Sequence, residues 1–167
     1  SGTLRRGRGL GIGIKASISP TTSGPIVNIS ADGSVVLYTN TIDMGQGSDT
    51  AMAQIVAEVL DIRTEDVKVV HGDTDAAPYD MGTLGSRSTF HMGNAVKRAA
   101  EEARAKLAAL AAEVGLPEGT NYPFAEIFRK RYGMRAGNVI GTGTFIPSYK
   151  PTDSKTGQSD NVTPFWM

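Results

Sequence analysis

Apolar residues alternate with polar ones early in the chain and then switch to helical spacing. Between residues 10 and 19, Ile12, Ile14, Ala16 and Ile18 occupy every second position, the period of a half-buried strand. Residues 20–25 carry Pro20, Gly24 and Pro25 and read as a turn-rich connector. Ile26-Val27-Asn28-Ile29-Ser30 is apolar and β-branched, which favours a strand. Asp32-Gly33 then supplies a hairpin turn, and residues 34–41 return as a second strand through Val35, Val36, Leu37 and Tyr38. The period lengthens after Gly47. Met52, Ile55, Val56, Val59 and Leu60 predict a helix ending near Asp61, with Ser48 or Asp49 placed to cap its first turn. Residues 67–70 form a short strand, so hairpin, helix and strand make one α/β unit.

The second half repeats neither this pattern nor any other. Residues 72–85, with Asp73, Asp75, Pro78, Asp80, Gly82 and Gly85, read as a solvated loop. A long helix follows over 88–114, with Val96, Ala100, Ala103, Leu107, Leu110 and Val114 as its buried stripe. Glu102 and Lys106 stand in the favourable i,i+4 order, and Gly115 and Pro117 stop the helix. Residues 124–132 predict a short amphipathic helix, and 138–145 a strand weakened by Gly141 and Gly143. Residues 147–167 read as a connector, polar as far as 163. The closing Pro164-Phe165-Trp166-Met167 is either a docked end or the sign of a sequence cut ahead of another element. The predicted class is α/β (α+β): a mixed sheet with a β-hairpin and packed helices, residues 1–167 forming a single partial domain.

Composition narrows the function classes. Seventeen basic residues balance seventeen acidic ones, so no net field favours nucleic acid or an anionic membrane. Arg5-Arg6-Gly7-Arg8 is short enough to be a solvated terminal segment. Cysteine is absent, which excludes disulfides, cysteine-ligated iron–sulfur clusters and thiolate nucleophiles within this chain, and is compatible with the cytoplasm. No apolar run reaches membrane-spanning length.

Candidate chemistry gathers at two glycine-rich turns that open the two best helices. The first is Asp43-Met44-Gly45-Gln46-Gly47 and the second runs from Gly82-Thr83-Leu84-Gly85 through Ser86-Arg87-Ser88-Thr89. A helix N-terminus presents unpaired N–H groups, and the helix dipole adds attraction for an anion. Glycine before a helix also serves as plain turn chemistry, so this feature alone does not separate a ligand site from a turn. His71 and His91 with Asp73 or Asp75 fit no strong metal signature. Asp73, Asp75 and Asp80 lack the spacing of a calcium loop.

The combination is more specific. Met44-Gly45-Gln46-Gly47, a helix, a strand, an acidic loop, then Thr83, Ser86 and Ser88 before an Ala-rich helix carrying Gly93-Asn94-Ala95-Val96 resembles the large subunit of the molybdenum hydroxylases, the xanthine dehydrogenase and aldehyde oxidase family. The likeness covers at least residues 9–107. The run Ser86-Arg87-Ser88-Thr89-Phe90 is similar to the 4-hydroxybenzoyl-CoA reductase and carbon monoxide dehydrogenase branches.

The resemblance implies that the two turns hold molybdopterin, the molybdenum cofactor, in its plain form or as the cytosine dinucleotide. It points to Met44, Gly45, Gln46, Gly47, Thr83, Gly85, Ser86 and Ser88 as cofactor-binding residues, the hydroxyls also being placed for helix capping. Arg87 is left between a phosphate contact and a substrate path. The metal is held in this family by the cofactor's own sulfurs and by oxo, sulfido or water ligands, so no side chain here is implied as a ligand. The family's glycine-rich elements upstream and its Gly-X-Gly-Glu motif downstream do not occur, and no catalytic residue is assigned. The chain thus resembles the middle of a large subunit, inactive alone, with the rest of that subunit and iron–sulfur and FAD-bearing subunits or domains as partners. The implied reaction is hydroxylation, or reductive dehydroxylation, of a small organic substrate. The alternatives are a non-redox α/β module binding a phosphate-bearing ligand and a fragment with an empty cradle.

Overall fold

The computed structural model describes residues 2–11, 21–116, 123–148 and 153–158. Most of the strand expected over 10–19, the Pro117 helix stop and the aromatic end at 164–167 lie outside them. Ile26–Ser30 (β1) and Val35–Tyr38 (β2) form the expected hairpin, with Ile26 opposite Tyr38 and Ile29 opposite Val35. Ser48–Leu60 (α1) crosses to Val67–Val70 (β3), which lies parallel to β2 with Val35 opposite Val67. A π-helical turn, Ser88–Met92, leads into Gly93–Glu113 (α2). Phe124–Tyr132 (α3) and Asn138–Thr142 (β4) follow. The sheet order is β3-β2-β1-β4, with β4 antiparallel to β1.

Period-two alternation decides which sheet face is covered. Val27, Ile29, Val35 and Leu37 are buried, with Val67 and Val139 flanking them. They share one cluster with Met52, Val56 and Leu60 of α1 and with Val96, Ala100, Ala103 and Leu107 of α2. Fully burying an aliphatic side chain of this kind contributes about 1.5–3 kcal/mol. This shared layer seats the beginnings of α1 and α2 beside one another.

The glycines of the last strand have a packing reason. A Cβ on Gly141 would lie 2.0 Å from the Ala99 carbonyl oxygen, and one on Gly143 would lie 2.0 Å from that of Ala95. Here α2 presents Ala95, Ala99 and Ala103 directly to the strand's backbone, so glycine permits the contact rather than merely weakening β4. Regular pairing ends at Thr142, short of the expected residue 145, and a single bridge between Ser23 and Phe145 continues the line. Glu102 fastens the two elements: it accepts from the Thr142 N–H and hydroxyl and pairs with Lys106 at 2.8 Å. The bond from Lys106 first, then the two from Thr142, hold its carboxyl down to about 2.

Helix starts differ from expectation. Neither Ser48 nor Asp49 occupies the N-cap of α1. Gly47 does, at φ 78°, and the side chain that reaches the first turn is Asp43, accepting from the Asp49 N–H at 3.1 Å. Asp61 closes the helix in the left-handed region, as the end near that residue required. The second long helix begins with the wider π turn, and Arg87 at its N-cap makes no capping side-chain bond.

Candidate functional site

The first turn is organised by two of its own side chains. The Asp43 carboxylate accepts from the N–H groups of Asp49, Gly45 and Gly47, and these bonds, led by that of Asp49, hold its pKa below the ordinary carboxylate range. The Gly45 and Gly47 N–H groups are therefore turned toward Asp43. Both residues have positive φ, 96° and 78°, which glycine adopts without strain. The Gln46 amide donates to the Ile42 carbonyl at 2.9 Å and to Ser48 Oγ at 3.1 Å, and its oxygen accepts from the Met44 N–H. Met44 is left 71% exposed at the tip of the turn.

The second turn is joined to the first at one residue. Thr83 Oγ1 accepts from the Ile42 N–H at 2.9 Å and donates to the Ile42 carbonyl at 2.7 Å. The Ile42 peptide is thus the node that Gln46 and Thr83 share across about forty residues of chain. Asn40 adds bonds to the carbonyls of Ala77 and Pro78. Beyond Thr83 the chain passes through two successive left-handed residues, Gly85 and Ser86, both at φ 58°. For Ser86 this region costs about 1–2 kcal/mol.

Between the turns lies a cleft of about 670 Å³. Met44, Gln46, Thr83, Gly85, Ser86 and Ser88 line it, so six of the eight residues singled out from the sequence meet at one place. Gly45 and Gly47 do not line it. Leu84, Thr89, Phe90 and Asn94 also line it and were given no role by the sequence. Phe90 and Asn94 stand one helical turn apart, joined by a bond from Asn94 Nδ2 to the Phe90 carbonyl at 2.6 Å. That i,i+4 spacing on the helix opened by Ser88 was the available signal. Among the described residues the lining contains no charged side chain; its polar groups are hydroxyls, amides and backbone.

Two expectations about charged residues are corrected. Arg87 meets neither the cleft nor solvent: its side chain is 0% exposed and its guanidinium pairs with the equally buried Asp80 at 2.7 Å. Asp80 is accordingly no part of a solvated loop, although Asp73 keeps to a local turn by accepting from the Asp75 N–H. Burial of a guanidinium requires a partner, and Asp80 lies seven residues upstream, where the loop folds back. His71 Nε2 lies 2.9 Å from Asp49, and His91 is buried edge-on to Phe90 and Phe145. Among the described residues no group of three His, Cys, Asp or Glu side chains converges as a metal site.

Comparison with known proteins gives a consistent set of likenesses. The family model described as the molybdopterin cofactor-binding domain matches residues 1–166. A probable hypoxanthine oxidase of Escherichia coli is 30% identical over 164 residues, covering 87% of this chain and 17% of its own length. The carbon monoxide dehydrogenase large chain of Afipia carboxidovorans is 42% identical over 88 residues, which is 53% of this chain and 11% of that protein. Among solved structures, the reconstituted CO dehydrogenase from Oligotropha carboxidovorans superposes with a TM-score of 0.64 at 27% identity, over 75% of this chain and 18% of that one. The chain therefore spans less than a fifth of the length of each of these proteins.

Proposed function

The chain belongs to the molybdopterin cofactor-binding domain family, and from that premise we propose that the cleft between its two glycine-rich turns is part of the cofactor cradle of a molybdenum oxidoreductase. The observation that carries this reading is the convergence of Met44, Gln46, Thr83, Gly85, Ser86 and Ser88 on one cleft.

The donor set fits the group. Pterin edges and phosphate oxygens need several directional hydrogen bonds, and the hydroxyls of Ser86 and Ser88 and the amides of Gln46 and Asn94 offer them. The start of the helix opened by Ser88 adds N–H groups and the positive end of its dipole. Among the described residues no histidine or carboxylate side chain lines the cleft, so a metal would take its ligands from the cofactor itself. When bound, the cofactor supplies two-electron chemistry at a substrate carbon. This chain's residues orient it, preset the dipoles around it and shield it with Leu84 and Phe90. Gln46 serves the cofactor by exchanging its bond to Ile42 or Ser48 for one to the ligand. Gly45 and Gly47 shape the turn.

The reaction proposed is hydroxylation, or reductive dehydroxylation, of a small organic substrate in the complete large subunit. Residues 1–167 are one part of that subunit. Iron–sulfur and flavin subunits or domains relay the electrons, the cofactor is molybdopterin or its cytosine dinucleotide, and a cytoplasmic assembly belongs to the same reading. A non-redox phosphate-binding module is not supported, since both relatives named above are redox enzymes by name.

Metal and pterin analysis of the complete assembly from its native host tests the proposal. Molybdenum and oxidised pterin should appear in near-equal amounts and be lost when Gln46 and Ser86 are both replaced by Ala. A well-folded assembly holding neither would refute the cradle.

A further inference from the structure

Arg87 lies between Ser86 and Ser88, which both face the cleft, yet its side chain runs the opposite way into the protein. Its Nη1 donates to Asp80 Oδ1 at 2.7 Å and to the Gly82 carbonyl at 3.0 Å. Its Nη2 donates to Ser23 Oγ at 2.7 Å and to the Thr22 carbonyl at 3.3 Å. Ser23 Oγ in turn donates to Asp80 Oδ2 at 2.6 Å, closing a three-membered ring of side chains. Asp80 Oδ1 also accepts the Gly82 N–H at 2.7 Å. The ring therefore ties both ends of the 82–87 turn to the segment that enters β1.

A buried ion pair is weak as a stabilising device, because desolvating two charges offsets most of their attraction and well-packed apolar residues serve as well. What such a pair does supply is registry, since a guanidinium fork accepts few geometries. The backbone fixed here is the one that needs fixing. Gly85 and Ser86 are both left-handed, a conformation that serine adopts only when its surroundings impose it. The Arg87 N–H closes that turn on the Leu84 carbonyl at 3.1 Å.

We propose that Arg87 is a positioning residue of the cofactor cradle: through Asp80 and Ser23 it holds the left-handed turn that presents Ser86, Ser88 and the following helix start to the cofactor. This rests on the cradle reading above. It assigns to Arg87 no contact with cofactor or substrate.

The test compares cofactor retention with fold stability in the complete, cofactor-loaded assembly. Arg87→Lys keeps the charge and removes the fork. The pair Arg87→Met with Asp80→Leu removes both charges while retaining apolar volume. Release is followed by the fluorescence of oxidised pterin in filtrates, well below the melting temperature, with circular dichroism reporting the fold. Both variants should release pterin at least about tenfold faster than the unaltered assembly, the paired variant without a lower melting temperature. If Arg87→Lys does not fold, Ser23→Ala opens the ring more gently and should accelerate release several-fold. Unaltered release rates, or release that only tracks melting temperature, would overturn the inference. Loss of pterin in Ser86→Ala with unaltered retention in both Arg87 variants would overturn the role of Arg87 and leave the cradle standing, whereas an unaltered assembly without pterin would remove the cradle itself.

Discussion

The two glycine-rich turns face one cleft but are built on opposite principles. The turn at 43–47 is held by its own neighbours: Asp43 and Gln46 bond within a few residues of themselves and sit near solvent. The turn at 82–88 is held by residues some sixty positions away, through a ring whose charged members are wholly buried. A locally bonded, solvated turn can exchange its hydrogen bonds for a ligand's at little cost, because water competes for the same groups. A turn locked by a buried ion pair cannot exchange, so its donors stand in place beforehand. One wall of the cleft adapts and the other is preset, a division of labour suited to holding a large polar cofactor at a defined orientation.

Removing the anchors should expose this contrast most strongly. Arg87→Ala leaves Asp80 buried and unpaired and is expected to cost about 3–5 kcal/mol in denaturant unfolding, whereas Gln46→Ala, losing partly solvated bonds, should cost about 0.5–1.5 kcal/mol. Equal costs would erase the distinction. Gly141→Ala disturbs the seat of α2 on β4, forcing a methyl toward the Ala99 carbonyl; overpacking against backbone should cost about 3 kcal/mol, read by the same unfolding curves. Ser86→Gly relieves the positive φ and should raise stability by about 1 kcal/mol or less while speeding cofactor release, so that stability and retention move in opposite directions.

The smallest effect belongs to Glu102, which secures β4 to α2. Its folded-state carboxyl titrates near 2, below the ordinary 4.5, so its contribution is complete above the ordinary value and lost as pH falls toward about 2. Since the side chain is 40% exposed, that contribution is expected to be only about 0.2–1 kcal/mol. Unfolding midpoints of the unaltered protein and Glu102→Gln should differ near neutral pH and converge in acid.

Periodicity made the hairpin, α1, β3, α3 and the extent of the long helix legible, because each buries one face and its apolar residues repeat at the element's own period. The end of β4 was not legible: Gly141 and Gly143 look like breakers until Ala95 and Ala99 are brought against them from another element. The π turn at Ser88–Met92 follows from no local residue preference. The two turns were legible as turns because glycine before a helix is a local signal, while their reading as a cofactor site came from the family resemblance. Whether Arg87 points into or away from the cleft depends on Ser23 and Asp80, and no spacing rule links those positions. Spacing could link Phe90 to Asn94 but not say which helix face looks into the cleft, and nothing local marked Leu84 or Thr89 as lining.

Amide hydrogen exchange of the complete subunit, with and without bound cofactor, tests the central claim most directly. Without cofactor the Arg87 amide, bonded inside the anchored turn, should exchange slowly, while the Met44, Gly45 and Gly47 amides, held only by local bonds near solvent, should exchange faster; loading should protect both turns, with the larger gain at 44–47. Protection that is unchanged at both turns on loading would show that the cofactor does not occupy this cleft.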